Sequence, residues 1–208
     1  MKTCHIFGAG EYYIPSFEKK DGDIVIAADA GYVYLKKLGV KPDFCVGDFD
    51  SLGYVPEETN LLKLNCIKDY TDTEEAIALG LEKGCTEFRL YCCSGGYPSH
   101  TVANAQCLVS LARKGKRNLM YGIKENLTAV SCGRILLKGQ KGRFSVFACG
   151  KAEGVTVKNA FYPLEDAALT DDRPIGVSNE LIASPVDISV KNGTLLILYD
   201  NDLDIEFI

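Results

Sequence analysis

The stretch IVIAADAGYVYLKKLGVKPDFCVGDFDS, residues 24–51, decides how the chain is read. Ile24–Ala28 is an unbroken apolar run that ends at Asp29, the pattern of a strand buried on both faces. Gly31–Leu38 has helical spacing and stops at Gly39. Phe44–Val46 is a second apolar run, ending at Gly47-Asp48. A strand, a helix and a strand in about thirty residues argue for parallel pairing.

The alternation extends outward from there. Cys4–Phe7 reads as a strand ending at Gly8-Ala9-Gly10, and Leu61–Ile67 as another strand. Thr73–Lys83 reads as a helix closed by Gly84, Phe88–Cys92 as a strand, Thr101–Lys114 as a helix and Asn118–Tyr121 as a strand. The expected fold is α/β, with an N-terminal, mainly parallel sheet carrying helices on both faces. After Gly122 the helical patterns stop. Leu127–Ser131 and Arg134–Leu137 flank Cys132-Gly133 like a hairpin, and Phe144–Cys149 and Val155–Val157 are strand-like. Val186–Val190 and Thr194–Tyr199 flank Lys191-Asn192-Gly193, a strong hairpin signal. A C-terminal all-β sandwich is therefore expected, with domains at residues 1–122 and 123–208. Asn159–Pro185 shows little periodicity and reads as a long loop at a functional edge.

Composition narrows the function. The chain has 208 residues, 47% of them apolar and 25% charged, an ordinary globular balance. Its net charge of -5 does not favour nucleic acid or an anionic membrane as a partner. An anionic substrate would need metal ions or backbone N–H groups to receive it. Nine cysteines, with no C-x-x-C pair, read as reduced and mostly buried thiols in a reducing compartment. The two histidines, His5 and His100, lack zinc-ligand spacing to any cysteine. No signal peptide or spanning apolar run is legible, so a cytoplasmic location is expected.

In open α/β sheets, ligands bind beyond the carboxyl ends of the strands. Asp29 ends the second strand, Gly47-Asp48-Phe49-Asp50-Ser51 the third, Lys68-Asp69-Tyr70-Thr71-Asp72 the fourth and Ser94-Gly95-Gly96-Tyr97-Pro98-Ser99-His100 the fifth. In extended chain, Asp48 and Asp50 would face one point, with Phe49 turned back into the protein. Close carboxylates repel unless a cation lies between them, and Mg²⁺ takes a few carboxylates plus phosphate oxygens. The same two residues also suit an ordinary solvated turn. Asp72 opens a helix; either Thr71 with Glu74 or Asp72 with Glu75 fits a capping box, and the helix start also favours a phosphate nearby. Lys68 could neutralise a phosphate oxygen. Gly8 and Gly10 suit either a close phosphate or a tight turn. Ser99 and Thr101 suit helix caps, His100 a ligand loop, and Asn104 either the site or solvent. G-x-G-x-x-G, G-x-x-x-x-G-K-[ST] and G-x-S-x-G are all absent, which argues against a nicotinamide enzyme, a P-loop kinase and a serine hydrolase.

Taken in order, Ala28-Asp29-Ala30-Gly31, Lys41-Pro42-Asp43, Gly47-Asp48-Phe49-Asp50-Ser51, Lys68-Asp69-Tyr70-Thr71-Asp72 with Glu75, and Gly176-Val177-Ser178-Asn179-Glu180 resemble the thiamine pyrophosphokinase family over nearly the whole chain. The resemblance implies an ATP-binding α/β domain followed by a thiamine-binding β-sandwich. It also implies a homodimer with thiamine bound where the subunits meet. Asp48, Asp50 and Asp72 match the family's Mg²⁺–phosphate acids, Asp29 matches a further acid near the reacting groups, and Ser178 and Asn179 match the loop near thiamine. Lys68 would stabilise charge on the phosphates, and Gly95, Gly96, Tyr97, Ser99 and His100 would line the substrate. One departure stands out. The family loop reads G-G-R-x-D-H, whereas here Tyr97 replaces the arginine and Ser99 the aspartate. That departure keeps two rivals open: a pyrophosphokinase for another hydroxymethyl heterocycle, such as a pterin, and a non-catalytic nucleotide- or thiamine-binding sensor.

Overall fold

A computed structural model of the chain describes residues 1–49, 54, 61–63 and 70–208. The chain divides into two units, Met1–Asn104 with Met120–Ile123, and Ala105–Leu119 with Lys124–Ile208.

The first unit is built on β1 (Thr3–Phe7), β2 (Ile24–Ala28), α1 (Gly31–Lys37), β3 (Phe44–Gly47), β4 (Leu61–Lys63), α2 (Asp72–Glu82), β5 (Glu87–Tyr91) and the start of α3 (Pro98–Arg113). Its strands lie in the order β5-β1-β2-β3-β4, and all four pairings among them are parallel. Every residue of β1 and β2 is buried, as the unbroken apolar run of β2 requires, and in β1 the polar Thr3 and His5 are bonded to Asp23. α1 crosses in one direction along the sheet, from β2 to β3, and α2 in the other, towards β5, and such parallel crossovers are right-handed as a rule. The two helices therefore cover opposite faces. α2 packs so closely that a Cβ at Gly80 would stand 2.7 Å from Cys4 Sγ and 2.8 Å from the Phe88 ring. On the other face, Tyr91 stacks between Phe7 at 4.6 Å and Tyr121 at 4.8 Å, with Phe17 edge-on to Phe7 and Tyr91. Each fully buried ring or aliphatic side chain stabilises the fold by roughly 1.5–3 kcal/mol relative to exposure.

The second unit contains the rest of α3, most of β6 (Arg117–Met120), and β7 (Glu125–Ser131), β8 (Arg134–Lys138), β9 (Arg143–Ala148), β10 (Ala152–Lys158), β11 (Leu164–Leu169), β12 (Asn179–Glu180), β13 (Val186–Ser189), β14 (Thr194–Asp200) and β15 (Asp204–Phe207). These strands form two layers, β12-β9-β14-β7-β6 and β11-β10-β13-β8-β15. The α/β then β-sandwich reading of the sequence agrees with this arrangement.

Three local expectations are corrected. The Cys132-Gly133 and Lys191-Asn192-Gly193 segments are not hairpins, because β7 pairs with β14 while β8 pairs with β13 and β15. Each segment is a corner where the chain leaves one layer for the other. The two corners bond to each other, Cys132 N–H donating to Gly193 O at 3.1 Å and Val190 N–H to Gly133 O at 2.9 Å. Asn-Gly supplies a sharp turn, with Gly193 at φ +100°, but a sharp turn does not choose which strand it joins. Second, residues 159–185 contain β11 and β12 rather than one long loop. β11 is an edge strand with only Leu169 buried, so backbone pairing to β10 makes it a strand where side-chain alternation does not. Third, α3 starts at Pro98 rather than Thr101. Proline suits the first helical position because it lacks an N–H that would go unbonded there. The expected strand at 61–67 appears as β4 over Leu61–Lys63, and its remainder lies outside the described residues.

Candidate active site

Beyond the carboxyl ends of the parallel strands lie the described residues that the sequence proposes for the site in the first unit. Asp29 follows β2 directly, is buried, and takes a left-handed φ of +49°. A non-glycine residue in that region is strained, and such strain gathers at functional positions. Its N–H donates to Val46 O at 2.8 Å, which ties it to the end of the neighbouring strand. Beside it Gly47 ends β3, and a Cβ there would come within 3.1 Å of Asp29 Cα. Glycine, at φ +153°, lets the end of β3 pass this close to Asp29, one residue before Asp48.

Asp48 is half-exposed, whereas Phe49 is buried, so the aromatic ring does turn back into the protein. It does so by a different route from the extended chain expected. Phe49 has φ +62°, a left-handed bend that breaks the i, i+2 alternation. Asp50 and Lys68 lie outside the described residues.

α2 ends at Glu82, shortly before the amino end of β5, so its first turn points to the carboxyl edge of the sheet. Thr71 is the cap: its side chain accepts from Glu74 N–H at 3.1 Å. Asp72 is the first helical residue and half-buried. Of the two capping pairs the sequence allowed, Thr71 with Glu74 is the one formed, and the capping position does not fall to Asp72. Asp72, Glu74 and Glu75 together load the first turn with negative charge, where the helix dipole favours it.

After β5 the chain makes a tight loop. Gly10 N–H donates to Cys92 O at 2.7 Å and Glu11 N–H to Ser94 O at 2.9 Å, so the Gly8–Glu11 turn is bonded to this loop. That favours the tight-turn reading of Gly8 and Gly10. Gly95 has φ +80°, and a Cβ there would collide with the Glu11 side chain. Gly96 follows at φ +62°. Tyr97 is 76% exposed, its ring 6.3 Å from that of His100. Ser99 and His100 are exposed on the first turn of α3. Because the helix begins at Pro98, neither Ser99 nor Thr101 is its cap. Asn104 is buried and bonded to Cys93 O at 2.7 Å, so it is neither solvated nor on the surface of the site. Its spacing to the buried Leu108 and Leu111 was the signal that could have placed it on the inner helix face.

In the second unit, Ser178 is exposed with φ +56°, its N–H donating to Ser145 Oγ at 3.1 Å. Asn179 is buried. Its Oδ1 accepts from Tyr162 N–H at 3.0 Å and Glu180 N–H at 2.9 Å, and its Nδ2 donates to Tyr162 O at 2.8 Å. The amide is thus occupied by backbone, clamping the Phe161–Tyr162 segment beneath Ser178. Phe161, Tyr162, Val177 and Ile182 are exposed on these segments.

Among the described residues, no group of three or more His, Cys, Asp or Glu side chains is gathered as a metal cage. The donors at the carboxyl rim are nevertheless carboxylate oxygens on a loop and a helix start. That hard oxygen set suits Mg²⁺ completed by phosphate oxygens rather than by an all-protein cage.

A parallel sheet with acids at its carboxyl edge, followed by a two-layer β unit, defines the class: a two-part α/β protein whose acidic rim lies where such sheets bind ligands. Two family models match in order, the thiamin pyrophosphokinase catalytic domain at residues 18–120 and the thiamin pyrophosphokinase vitamin B1 binding domain at residues 135–195. The chain belongs to the thiamin pyrophosphokinase family. It is 24% identical to the thiamine pyrophosphokinase of Bacillus subtilis over 216 residues, covering 97% of this chain and 100% of the relative. The crystal structure of thiamine pyrophosphokinase from that organism superposes with a TM-score of 0.83 at 23% identity, covering 96% of this chain and 99% of the other. Thiamin pyrophosphokinase from Candida albicans gives a TM-score of 0.77 at 13% identity, covering 96% and 89%. At these identities the structural likenesses bear on the fold alone.

Proposed function

We infer that the chain transfers pyrophosphate from Mg-ATP to the hydroxyl of thiamine, forming thiamine pyrophosphate and AMP. The observation that carries this reading is the ordered match of both the catalytic and the vitamin B1 binding model within one chain. Residues 1–122 would serve ATP and catalysis, and residues 123–208 would serve thiamine.

The thiamine hydroxyl attacks the β-phosphorus, and AMP leaves. Such transfers depend on positioning and on neutralising phosphate charge. Asp48, Asp50 and Asp72 would hold Mg²⁺, and the ion would supply positive charge to offset that of the phosphates. Lys68 neutralises the phosphates directly. Asp29, buried and packed against the Gly47 backbone at the end of β3, accepts the hydroxyl proton. Gly95, Gly96, Tyr97, Ser99 and His100 contact substrate at the start of α3. Tyr97 can stack on a ring, and Ser99 can donate and accept hydrogen bonds. Ser178 faces thiamine, with Asn179 shaping that loop through Tyr162.

A second copy of the chain completes the site as a homodimer. The exposed Phe161, Tyr162, Val177 and Ile182 beside Ser178 support that, as apolar surface next to a ligand loop invites a partner. Light scattering at assay concentration should give twice the chain mass; a monomer that turns over at full rate refutes the dimer. The cytoplasm is the expected location. Free thiols at all eight described cysteines suit a reducing compartment.

The deciding experiment incubates the protein with Mg-ATP and either thiamine or a hydroxymethylpterin, and follows AMP and the pyrophosphorylated product. Thiamine-dependent AMP release is expected. Pterin-dependent release alone, or nucleotide binding with no AMP from either acceptor, overturns the assignment.

A further inference from the structure

Asn104 lies on the inner face of α3, seven-hundredths exposed, in register with Leu108 and Leu111. A buried amide needs a partner. Its Nδ2 donates to the Cys93 carbonyl at 2.7 Å. The carbonyls on either side are also held, Cys92 O by Gly10 N–H at 2.7 Å and Ser94 O by Glu11 N–H at 2.9 Å. Three consecutive carbonyls at the end of β5 thus each meet a different donor. Because a peptide is planar, fixing its carbonyl also fixes the direction of the following N–H. The three planes set the path by which the chain enters Gly95 and Gly96, at φ +80° and +62°, and then Tyr97, Ser99 and His100. Two of the donors are main-chain groups. Asn104 supplies the one that comes from a side chain.

We propose that Asn104 is a positioning residue for the transfer reaction, locking the Cys93 peptide so that the 95–100 loop meets substrate in a single conformation. It touches no substrate itself. This rests on the reading of that loop as part of the substrate site.

The test is steady-state kinetics with Mg-ATP and thiamine, well below the melting temperature, on Asn104→Asp, Asn104→Leu, Ser99→Ala and His100→Ala. Asn104→Asp keeps the shape but cannot donate to a carbonyl when ionised; Asn104→Leu removes the polar group. Both Asn104 variants are expected to stay folded, to raise the KM of at least one substrate, and to lose about ten- to a hundredfold in kcat/KM, as displacement of a substrate-positioning element does. Should Asn104→Leu fail to fold, Asn104→Asp carries the test. A melting temperature that drops while KM and kcat hold in folded Asn104 variants, with the loop variants altering KM, overturns the positioning role and leaves the loop assignment standing. Unchanged kinetics in Ser99→Ala and His100→Ala means the loop is outside the site, and the proposal falls with that reading.

Discussion

At the scale of single residues, the site is written in backbone conformation as much as in side-chain type. Asp29, Phe49 and Ser178 all hold left-handed φ values without being glycine, at +49°, +62° and +56°. Each sits at or beside a position proposed for catalysis or thiamine, where the surrounding fold sustains the strain. Asp48 carries the sharpest prediction. Asp48→Asn should lower turnover by roughly two or more orders of magnitude, the scale expected when charge neutralisation is lost, with the far-ultraviolet circular dichroism spectrum unchanged. Near-normal turnover would reject its place in the Mg²⁺ set. His5 carries a prediction about stability. It is buried, with Nε2 3.4 Å from Asp23 Oδ2 and Nδ1 3.3 Å from Tyr91 Oη. Burial lowers its pKa below the ordinary histidine value, outweighing the opposing pull of Asp23. The folded state therefore keeps His5 neutral at a pH where the unfolded chain already protonates it. Its contribution is present above the unfolded pKa and is lost as pH falls through the folded one. The urea midpoint should drop between pH 7 and pH 5, and His5→Phe should flatten that slope; an equal slope in the variant removes His5 as the cause.

At the scale of elements, the sequence was most legible where burial is complete. β1, β2 and the start of β3 stand where their apolar runs place them, because a strand buried on both faces leaves little choice of residue type. α2 was readable from its spacing and cap, and its packing gives a measurable consequence. A Cβ at Gly80 would meet both Cys4 Sγ and the Phe88 ring inside van der Waals distance. Gly80→Ala gains helix propensity of about 1 kcal/mol, yet overpacking of this kind costs about 1–3 kcal/mol. Chemical denaturation should show net loss of stability; a more stable variant would mean that α2 stands farther from the sheet. β11, β12 and β15 were not legible. β15 is only four residues, with burial alternating between exposed and intermediate, and it is a strand because β8 pairs with it. Hydrogen bonds to a neighbour define such edges, and the neighbour is not encoded locally.

At the scale of the whole molecule, the acidic chain must receive a highly charged co-substrate. A net charge of -5 repels a triphosphate, so metal ions or backbone N–H groups must offset it locally, and the proposed mechanism gives that task to a divalent cation. Excess EDTA should therefore stop thiamine-dependent AMP release while leaving the urea midpoint in place, and added Mg²⁺ should restore the rate. Persistent turnover in the chelator would remove the metal from the mechanism. By itself the sequence determined the fold class, the order of the two halves, the family and the acids at the strand ends. All of these follow from local periodicity and short motifs. Only tertiary structure decided that the Cys132-Gly133 and Asn192-Gly193 turns join different layers, that Thr71 rather than Asp72 caps α2, and that Asn104 faces inward to the Cys93 carbonyl. Each of those outcomes is a choice of hydrogen-bond partner, often distant in sequence. Residue type says that a donor must be satisfied, but the packed chain selects the acceptor.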